Sequence, residues 1–335
     1  MVPGFLGSID KLDSVSASVS WTYNQNGTMR HKMSDMRISP DSGLSCEGQE
    51  FKLASSDVED THRTLGVGVN GTVRRGVIKS TGQAVAIKTL RVEKQEDRRL
   101  LLNEVKALIA SQGCRNLVQL HAGFVTHSGQ VNLVLELMDR GSLADVIRRG
   151  AFPPRILAGV LVQVLLGLHH LHGRRLLHND IKPGNVLLNA QGDVKVADFG
   201  ITACVDASKM AVTGTQMYLA PEKCSSEFSG KISGGDVWLL SDVWSLGVLT
   251  FEMASGRHPF HSATTIVAIW DALLYALEPR LPQNHPAALC HLVSKCLTRE
   301  VGLRPTVAEL LHFDFVTVDV SAPQDLSEWL ESSLG

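Results

Sequence analysis

His178-Asn179-Asp180-Ile181-Lys182-Pro183-Gly184-Asn185-Val186-Leu187-Leu188 is followed, thirteen residues after Asn185, by Asp198-Phe199-Gly200. Two carboxylates, an amide and a lysine fall on turns that bracket a predicted hairpin, Val186–Leu188 with Val194–Ala197. Loops held by a rigid scaffold are where reactive groups concentrate, because a loop exposes polar atoms that an element interior would have to bury. A merely polar, capped hairpin does not account for this set in this order.

Working outward, two features towards the N-terminus gain meaning from that stretch. Gly66-Val67-Gly68-Val69-Asn70-Gly71 separates two strand-like segments. Glycines at this spacing let backbone N–H groups approach phosphate oxygens with no Cβ in the way. Alone, a glycine hairpin reads the same. A dinucleotide fingerprint needs the third glycine to open a helix, whereas Thr72-Val73-Arg74-Arg75-Gly76-Val77 continues as strand. Seventeen residues after Gly71, Lys88 closes the apolar run Ala84-Val85-Ala86-Ile87. A strand-end lysine ordinarily snorkels to water; a phosphate nearby gives it a different use. It then needs a carboxylate partner, and Glu104 fits best, beside the apolar Val105 and Leu108 on the helix that follows.

Around these features the chain reads as a small β-rich part followed by a larger helical one. Strands are expected near 61–65, 72–78, 85–90, 118–124 and 131–137, with a helix from Gln95 to Ser111 carrying Leu101, Val105 and Leu108 at helical spacing. Beyond a hinge near 136–142, helices are expected over 157–172, 242–254, 266–276, 288–297 and 307–311. Residues 1–50 are rich in Ser, Asp, Asn and Gly and read as a mostly disordered tail, with one alternating piece, Val15–Val19, able to pair. The fold class is α+β and bilobal: a tail over 1–50, a small lobe over 51–138, a helical lobe over 139–316 and an amphipathic C-terminal tail over 317–335.

Bulk properties exclude several classes. Of the 335 residues 44% are apolar and 20% charged, with a net charge of −2, so no global field attracts nucleic acid or anionic lipid. The six cysteines form no CxxC pair, which fits neither a zinc site nor a disulfide framework and suits a cytosolic or nuclear compartment. The N-terminus lacks the basic and apolar regions of a secretory signal, and Val2 excludes N-myristoylation. The apolar run near 156–168 contains Gln163 and reads as too short to span a bilayer.

The ensemble resembles the eukaryotic protein kinases. Further matches follow in order: Ala220-Pro221-Glu222, Asp242-Val243-Trp244-Ser245-Leu246-Gly247 and Arg304-Pro305, so the resemblance covers roughly 55–316. It implies ATP and Mg²⁺ as cofactors. Lys88 would contact the α- and β-phosphates and pair with Glu104; Asn185 and Asp198 would hold Mg²⁺; Asp180 would orient the acceptor hydroxyl and take its proton; Lys182 would stabilise the transferred phosphoryl. Leu65 to Val73 (Leu65, Gly66, Val67, Gly68, Val69, Asn70, Gly71, Thr72, Val73) would form the nucleotide roof. Ala86 would cover the adenine from above and Leu187 from below, with hinge backbone at Glu136 and Met138 and Leu135 as gatekeeper. Glu222 and Arg304 would form a buried structural ion pair. One departure stands out. The arginine usual before the catalytic Asp is Asn179, which removes a charge-assisted bond to a phosphorylated activation loop.

Arg99–Val105, Leu135–Leu143, Ser241–Gly247 and the close Asp325–Leu330 look most like the mitogen-activated protein kinase kinases. That implies a MAP kinase substrate, dual Thr/Tyr specificity and an upstream activating kinase; the charge and the apolar runs add the expectation of no nucleic-acid partner and no membrane insertion. A docking motif would be Arg30 and Lys32 with Met36 and Ile38, cations for an acidic patch and apolar side chains for a groove; a solvated tail with chance residues is the preferred reading. Family phosphorylation positions fall at Ala207 and Ala211, leaving Ser208 and Thr213 as candidates. Two alternatives stay open: a serine/threonine kinase of another branch, and a weakly active or silent pseudokinase scaffold.

Overall fold

The structure is a computed structural model describing residues 20–24, 26–68, 71–126, 128–204, 215–225, 235–318 and 320–334. The chain divides into two compact units, 1–113 with 118–137, and 114–117 with 138–335. Val15–Val19 lies outside the described residues.

The first unit holds two sheets. Strands β1 (Trp21–Tyr23), β2 (Met29–His31), β3 (Arg37–Ser39), β4 (Gly43–Cys46) and β5 (Gln49–Phe51) form an antiparallel meander. Over the described residues 20–24 and 26–50 this corrects the expected disordered tail; residues 1–19 lie outside the described residues. Several of the polar and glycine residues that suggested disorder shape the connections: Gly27, Asp35, Glu47 and Gly48, all between strands, take left-handed φ, as does Gly43 at the start of β4. Glu47-Gly48 joins β4 to β5, with Cys46 opposite Gln49, and left-handed φ at both turn residues matches the twist of a two-residue hairpin. Between the turns, Trp21, Met29, Met36, Ile38, Leu44 and Cys46 are buried, which supplies the apolar face that ordering requires.

The second sheet runs β6 (Val58–Gly68), β7 (Gly71–Ile78), β8 (Gln83–Leu90), β10 (Val131–Glu136) and β9 (Leu120–Val125), every pair antiparallel. Val58, Ile78, Val85, Ile87, Ala122, Phe124 and Val134 form one core cluster, with Leu53 packed on it. Helix α1 (Gln95–Ala110) buries Leu101, Glu104, Val105 and Leu108. It starts where the Lys94 N–H donates to Asp97 Oδ2 at 3.1 Å, a carboxylate suited to a helix N-terminus. All five strands and the helix expected in this unit are present, with ends moved by up to three residues.

The second unit contains α2 (Leu143–Ile147), α3 (Pro154–His172), the paired short strands β11 (Leu176–Leu177) and β14 (Ala203–Cys204), and the hairpin β12 (Val186–Leu188) and β13 (Val194–Val196). It continues with α4 (Pro221–Cys224), α5 (Leu240–Ser255), α6 (Ile266–Tyr275), α7 (Ala287–Cys296), α8 (Val307–Leu310), α9 (Asp314–Thr317) and α10 (Pro323–Leu334). Helix α5 ends at Gly256, φ 71°, the left-handed cap that glycine adopts without strain. The expected C-terminal tail is α10, docked by Trp329 against Phe152 (ring centroids 4.8 Å) and by Ser327 Oγ donating to Ala190 O at 2.6 Å.

The apolar run read as ending at 168 extends into α3, so the expectation of a segment too short to span is corrected. Pro154–His172 and Asp236–Ser255 are each long and apolar enough to cross a membrane by length and composition, and 61% and 67% of their most apolar windows are buried inside the fold. Burial among neighbouring helices is the physical reason for their hydropathy: a helix apolar all round is a core helix when protein surrounds it.

Candidate active site

In the first unit, the glycine-rich turn joins β6 to β7 with Gly66 opposite Val73, Val67 opposite Thr72 and Gly68 opposite Gly71; Val69 and Asn70 lie outside the described residues. Gly71 is demanded by the fold, since a Cβ there would lie 1.9 Å from Thr89 O. Gly66 and Gly68 are not: a Cβ on Gly66 meets nothing within 4 Å, and on Gly68 only Gly71 O at 3.8 Å. Packing among the described residues would therefore admit a side chain at either position. Leu65 and Val67 are exposed on the same strand, while Thr72 and Val73 are half-buried. Lys88 Nζ donates to Glu104 Oε1 at 2.5 Å, the two side chains 13% and 4% exposed. Strand β8 therefore presents a lysine head held by a helix carboxylate, as the sequence suggests. On the neighbouring strand Leu135 faces Ala86 in register and Glu136 faces Val85, and the Glu136 N–H is taken by Gln119 O at 2.9 Å.

In the second unit, Asp242 organises the loop that carries Asp180. Fully buried, it accepts from the His178 N–H through Oδ2 and from the Asn179 N–H through Oδ1, both at 2.8 Å, and its Oδ2 lies 2.9 Å from His172 Nε2. Burial pushes its carboxyl up, but the His172 bond and charge, His178 and the Asn179 N–H outweigh that, so it lies below the ordinary carboxylate value. His178 accepts from the Asp180 N–H at Nδ1 (3.2 Å), which leaves Nε2 to donate to Ala197 O at 3.1 Å. Its ring also meets Phe199 edge-on at 5.5 Å. One imidazole thus ties the loop carrying Asp180 to the segment carrying Asp198.

Asp180 itself is held on both oxygens. Oδ2 accepts from Lys182 Nζ at 2.6 Å and Asn185 Nδ2 at 2.8 Å; Oδ1 accepts from the Thr215 N–H at 3.0 Å and Thr215 Oγ1 at 2.8 Å. Lys182 Nζ also donates to Thr215 Oγ1 at 2.7 Å. Burial favours the neutral acid, yet the Lys182 ammonium and the Thr215 donors prevail, and the carboxyl lies below its usual value. It is a fixed, ionised acceptor at neutral pH. Thr215 belongs to this set and was absent from the residues the sequence pointed to, since no motif around it marks a role.

Asn185 is also the amide expected at the metal. With Nδ2 donating to Asp180 O and Oδ2, both at 2.8 Å, its Oδ1 is the atom directed to other use. The Ala197 N–H donates to Asn185 O at 2.8 Å, so exposed Asp198, φ 66°, follows directly. An amide oxygen and a carboxylate are hard donors of the kind Mg²⁺ takes, and the residues fit that ion. Leu187 lies half-buried on β12 beside them, and Met138 is buried at the start of this unit.

Asn179 has φ 76°. Its Nδ2 donates to Ile201 O at 3.2 Å and its Oδ1 accepts from Lys223 Nζ. Lys223 on α4 is buried; desolvation lowers its pKa, opposed by Asp242 and Glu222. Beside it, Glu222 and Arg304 pair at two points of 2.7 Å with both side chains fully buried. Arg304 further donates to Leu240 O and Thr298 O and lies over the Trp244 ring at 5.1 Å. The buried structural pair expected from sequence is present.

The docking expectation fares differently. Arg30 and Lys32 are exposed, but Met36 and Ile38 are completely buried in the β1–β5 sheet. Side chains that form a core cannot also fill a partner's groove, so the motif is corrected: its alternation is a strand period. Ser208 and Thr213 lie outside the described residues, as do Ala207 and Ala211. Cys46, Cys114, Cys224, Cys290 and Cys296 are free thiols, and among the described residues no three His, Cys, Asp or Glu side chains gather as a metal cluster.

Residues 60–316 match the protein kinase domain. The chain belongs to the protein kinase family. This kinase is 31% identical over 343 residues to Mitogen-activated protein kinase kinase 1 of Arabidopsis thaliana, covering 95% of this chain and 93% of that one. It is 34% identical to Mitogen-activated protein kinase kinase 2 of the same plant, over 79% and 74% of the two chains. Mitogen-activated protein kinase kinase 3 matches at 30% over 93% of this chain, which spans 59% of that relative's length. Among protein kinases, the enzyme groups with the MAP kinase kinases.

Proposed function

We propose that the kinase uses ATP and Mg²⁺ to phosphorylate the activation loop of a MAP kinase on threonine and tyrosine. The observation that carries the chemistry is Asp180, ionised, half-buried and gripped by Lys182, Asn185 and Thr215. A carboxylate so fixed can orient an acceptor hydroxyl and take its proton as the oxygen attacks. Lys182 then faces the charge that develops on the transferred phosphoryl. Lys88, locked by Glu104, is the cation for the α- and β-phosphates, and the bare backbone at Gly66 and Gly68 leaves room for phosphate oxygens. Mg²⁺, held by Asn185 and Asp198, would neutralise phosphate charge during transfer. The similarity to MAP kinase kinases over most of the chain supports the substrate class.

The test is an in vitro panel of MAP kinases with Mg-ATP, the full chain and phosphosite mapping, with Asp180→Asn as control. Expected is phosphate on both Thr and Tyr of one loop, abolished in the control. Product on Thr alone removes dual specificity. Transfer to other proteins but no MAP kinase favours a different serine/threonine branch, and no transfer after treatment with upstream kinases favours the scaffold reading.

A further inference from the structure

We propose that the β1–β5 sheet is a built-in clamp on helix α1 that holds Glu104 against Lys88. The sheet is anchored by packing, since β3, β4 and β5 all lie on β9, the edge strand of the larger sheet. Gly123 on β9 marks the close approach: a Cβ there would come within 3.3 Å of Leu44 Cβ. From that anchor the sheet reaches α1 at two points. The Arg98 guanidinium stands over the Tyr23 ring, 5.5 Å from its centroid. Lys106 Nζ lies 3.4 Å from Glu47 Oε1, both side chains about a third exposed (27% and 31%). These grips are about 12 Å apart along the helix, at 1.5 Å per residue, so they resist tilting as well as sliding.

Helical geometry gives the grips their consequence. Lys106 follows Glu104 by two positions, roughly 200° round the axis, and Arg98 is roughly 120° away. The face that meets the small sheet is therefore turned from the face that offers Glu104 to Lys88. A helix free to rotate or swing on the sheet side would withdraw Glu104, and phosphoryl transfer in this family requires that ion pair in place. Lys106 also acts on two more groups of the small sheet: its charge joins burial in lowering the pKa of His31 and opposes burial in raising that of Cys46. Glu47 sits at φ 53° in its hairpin, a conformation where glycine, asparagine or aspartate is usual. A glutamate held there despite the strain is explained by the reach of its carboxylate to Lys106.

Individually the two contacts are weak, each shifting an equilibrium by about two- to five-fold. Together they set the rest position of α1 without needing another protein. Tyr23, Glu47, Arg98 and Lys106 are thus positioning residues. The activity arm of the claim rests on the proposed kinase chemistry; the structural arm does not.

The experiment is hydrogen exchange over residues 95–110 in the full chain, without nucleotide or acceptor, beside steady-state kinetics with a generic protein acceptor. Glu47→Lys places like charges together. Expected are at least three-fold faster exchange in α1, a comparable fall in kcat, and an unchanged KM for the acceptor. Glu47→Lys/Lys106→Glu restores the attraction with reversed signs and should recover both readouts. Slow exchange within 29–46 verifies that the small sheet is folded, and Glu47→Gln serves if the reversal unfolds it, with a smaller effect of the same sign. Unchanged exchange in these variants, or a swapped pair that recovers nothing, overturns the clamp. A wild type inactive on every acceptor whose α1 exchange still follows Glu47 would overturn the proposed function and leave the clamp standing.

Discussion

Lys223 donates its ammonium proton to Asn179 Oδ1, two buried side chains 44 positions apart in the sequence. The residue that replaces arginine before Asp180 is therefore an acceptor for an internal cation. Asn179→Ala withdraws that acceptor, and a buried donor left unsatisfied costs about 1–3 kcal/mol. Chemical denaturation should show a stability loss of that size. An unchanged midpoint would mean that the ammonium is satisfied without Asn179.

Thr215 holds Asp180 through two donors and accepts from Lys182. Thr215→Ala should lower kcat about ten-fold, the equivalent of one hydrogen bond of about 1.4 kcal/mol, while Thr215→Ser, which keeps the hydroxyl, should stay within about two-fold. Equal loss in both variants would point to the methyl group's packing instead.

Arg304→Met strips the guanidinium from Glu222 and leaves a carboxylate with no countercharge in a fully buried setting. Breaking such a pair from one side costs about 3–5 kcal/mol, so the variant should melt well below wild type. Glu222→Gln/Arg304→Met, which removes both charges, should recover part of the loss. A double variant no more stable than Arg304→Met would refute the charge explanation.

His258 is buried between the Tyr218 and Phe260 rings, and desolvation lowers its pKa from 6.5 to about 4, against an opposing bond from the Met217 backbone. Between those values the unfolded chain binds a proton that the folded chain refuses, so stability rises with pH from about 4 to 6.5 and levels above. The full span is worth about 3 kcal/mol. His258→Phe should flatten that slope in urea titrations at pH 4.5 and 7; an undiminished slope would assign it to other groups.

The cluster of Asp180, Lys182 and Asn185 was legible because its groups are close in sequence. Lys88 and Glu104 were legible because a strand end and an apolar helix face limited the choices. The small sheet was not. Its strands are only three or four residues long, too short for a period to emerge, and Ser34, Asp35 and Gly48 look the same in a turn as in a disordered tail. Met36 and Ile38 show the result, an alternation given to a partner that belongs to the chain's own core. Thr215 and Lys223 escaped for a related reason: each acquires its role from a contact many residues away that no local pattern announces.

The Glu222–Arg304 pair bears on how the polypeptide is made. The carboxylate leaves the ribosome 82 residues before the guanidinium that neutralises it, an interval of roughly 4–16 s at 5–20 residues per second. Until Arg304 emerges, burying Glu222 is unfavourable, so the helical unit has reason to stay open during translation and to close only once Arg304 arrives.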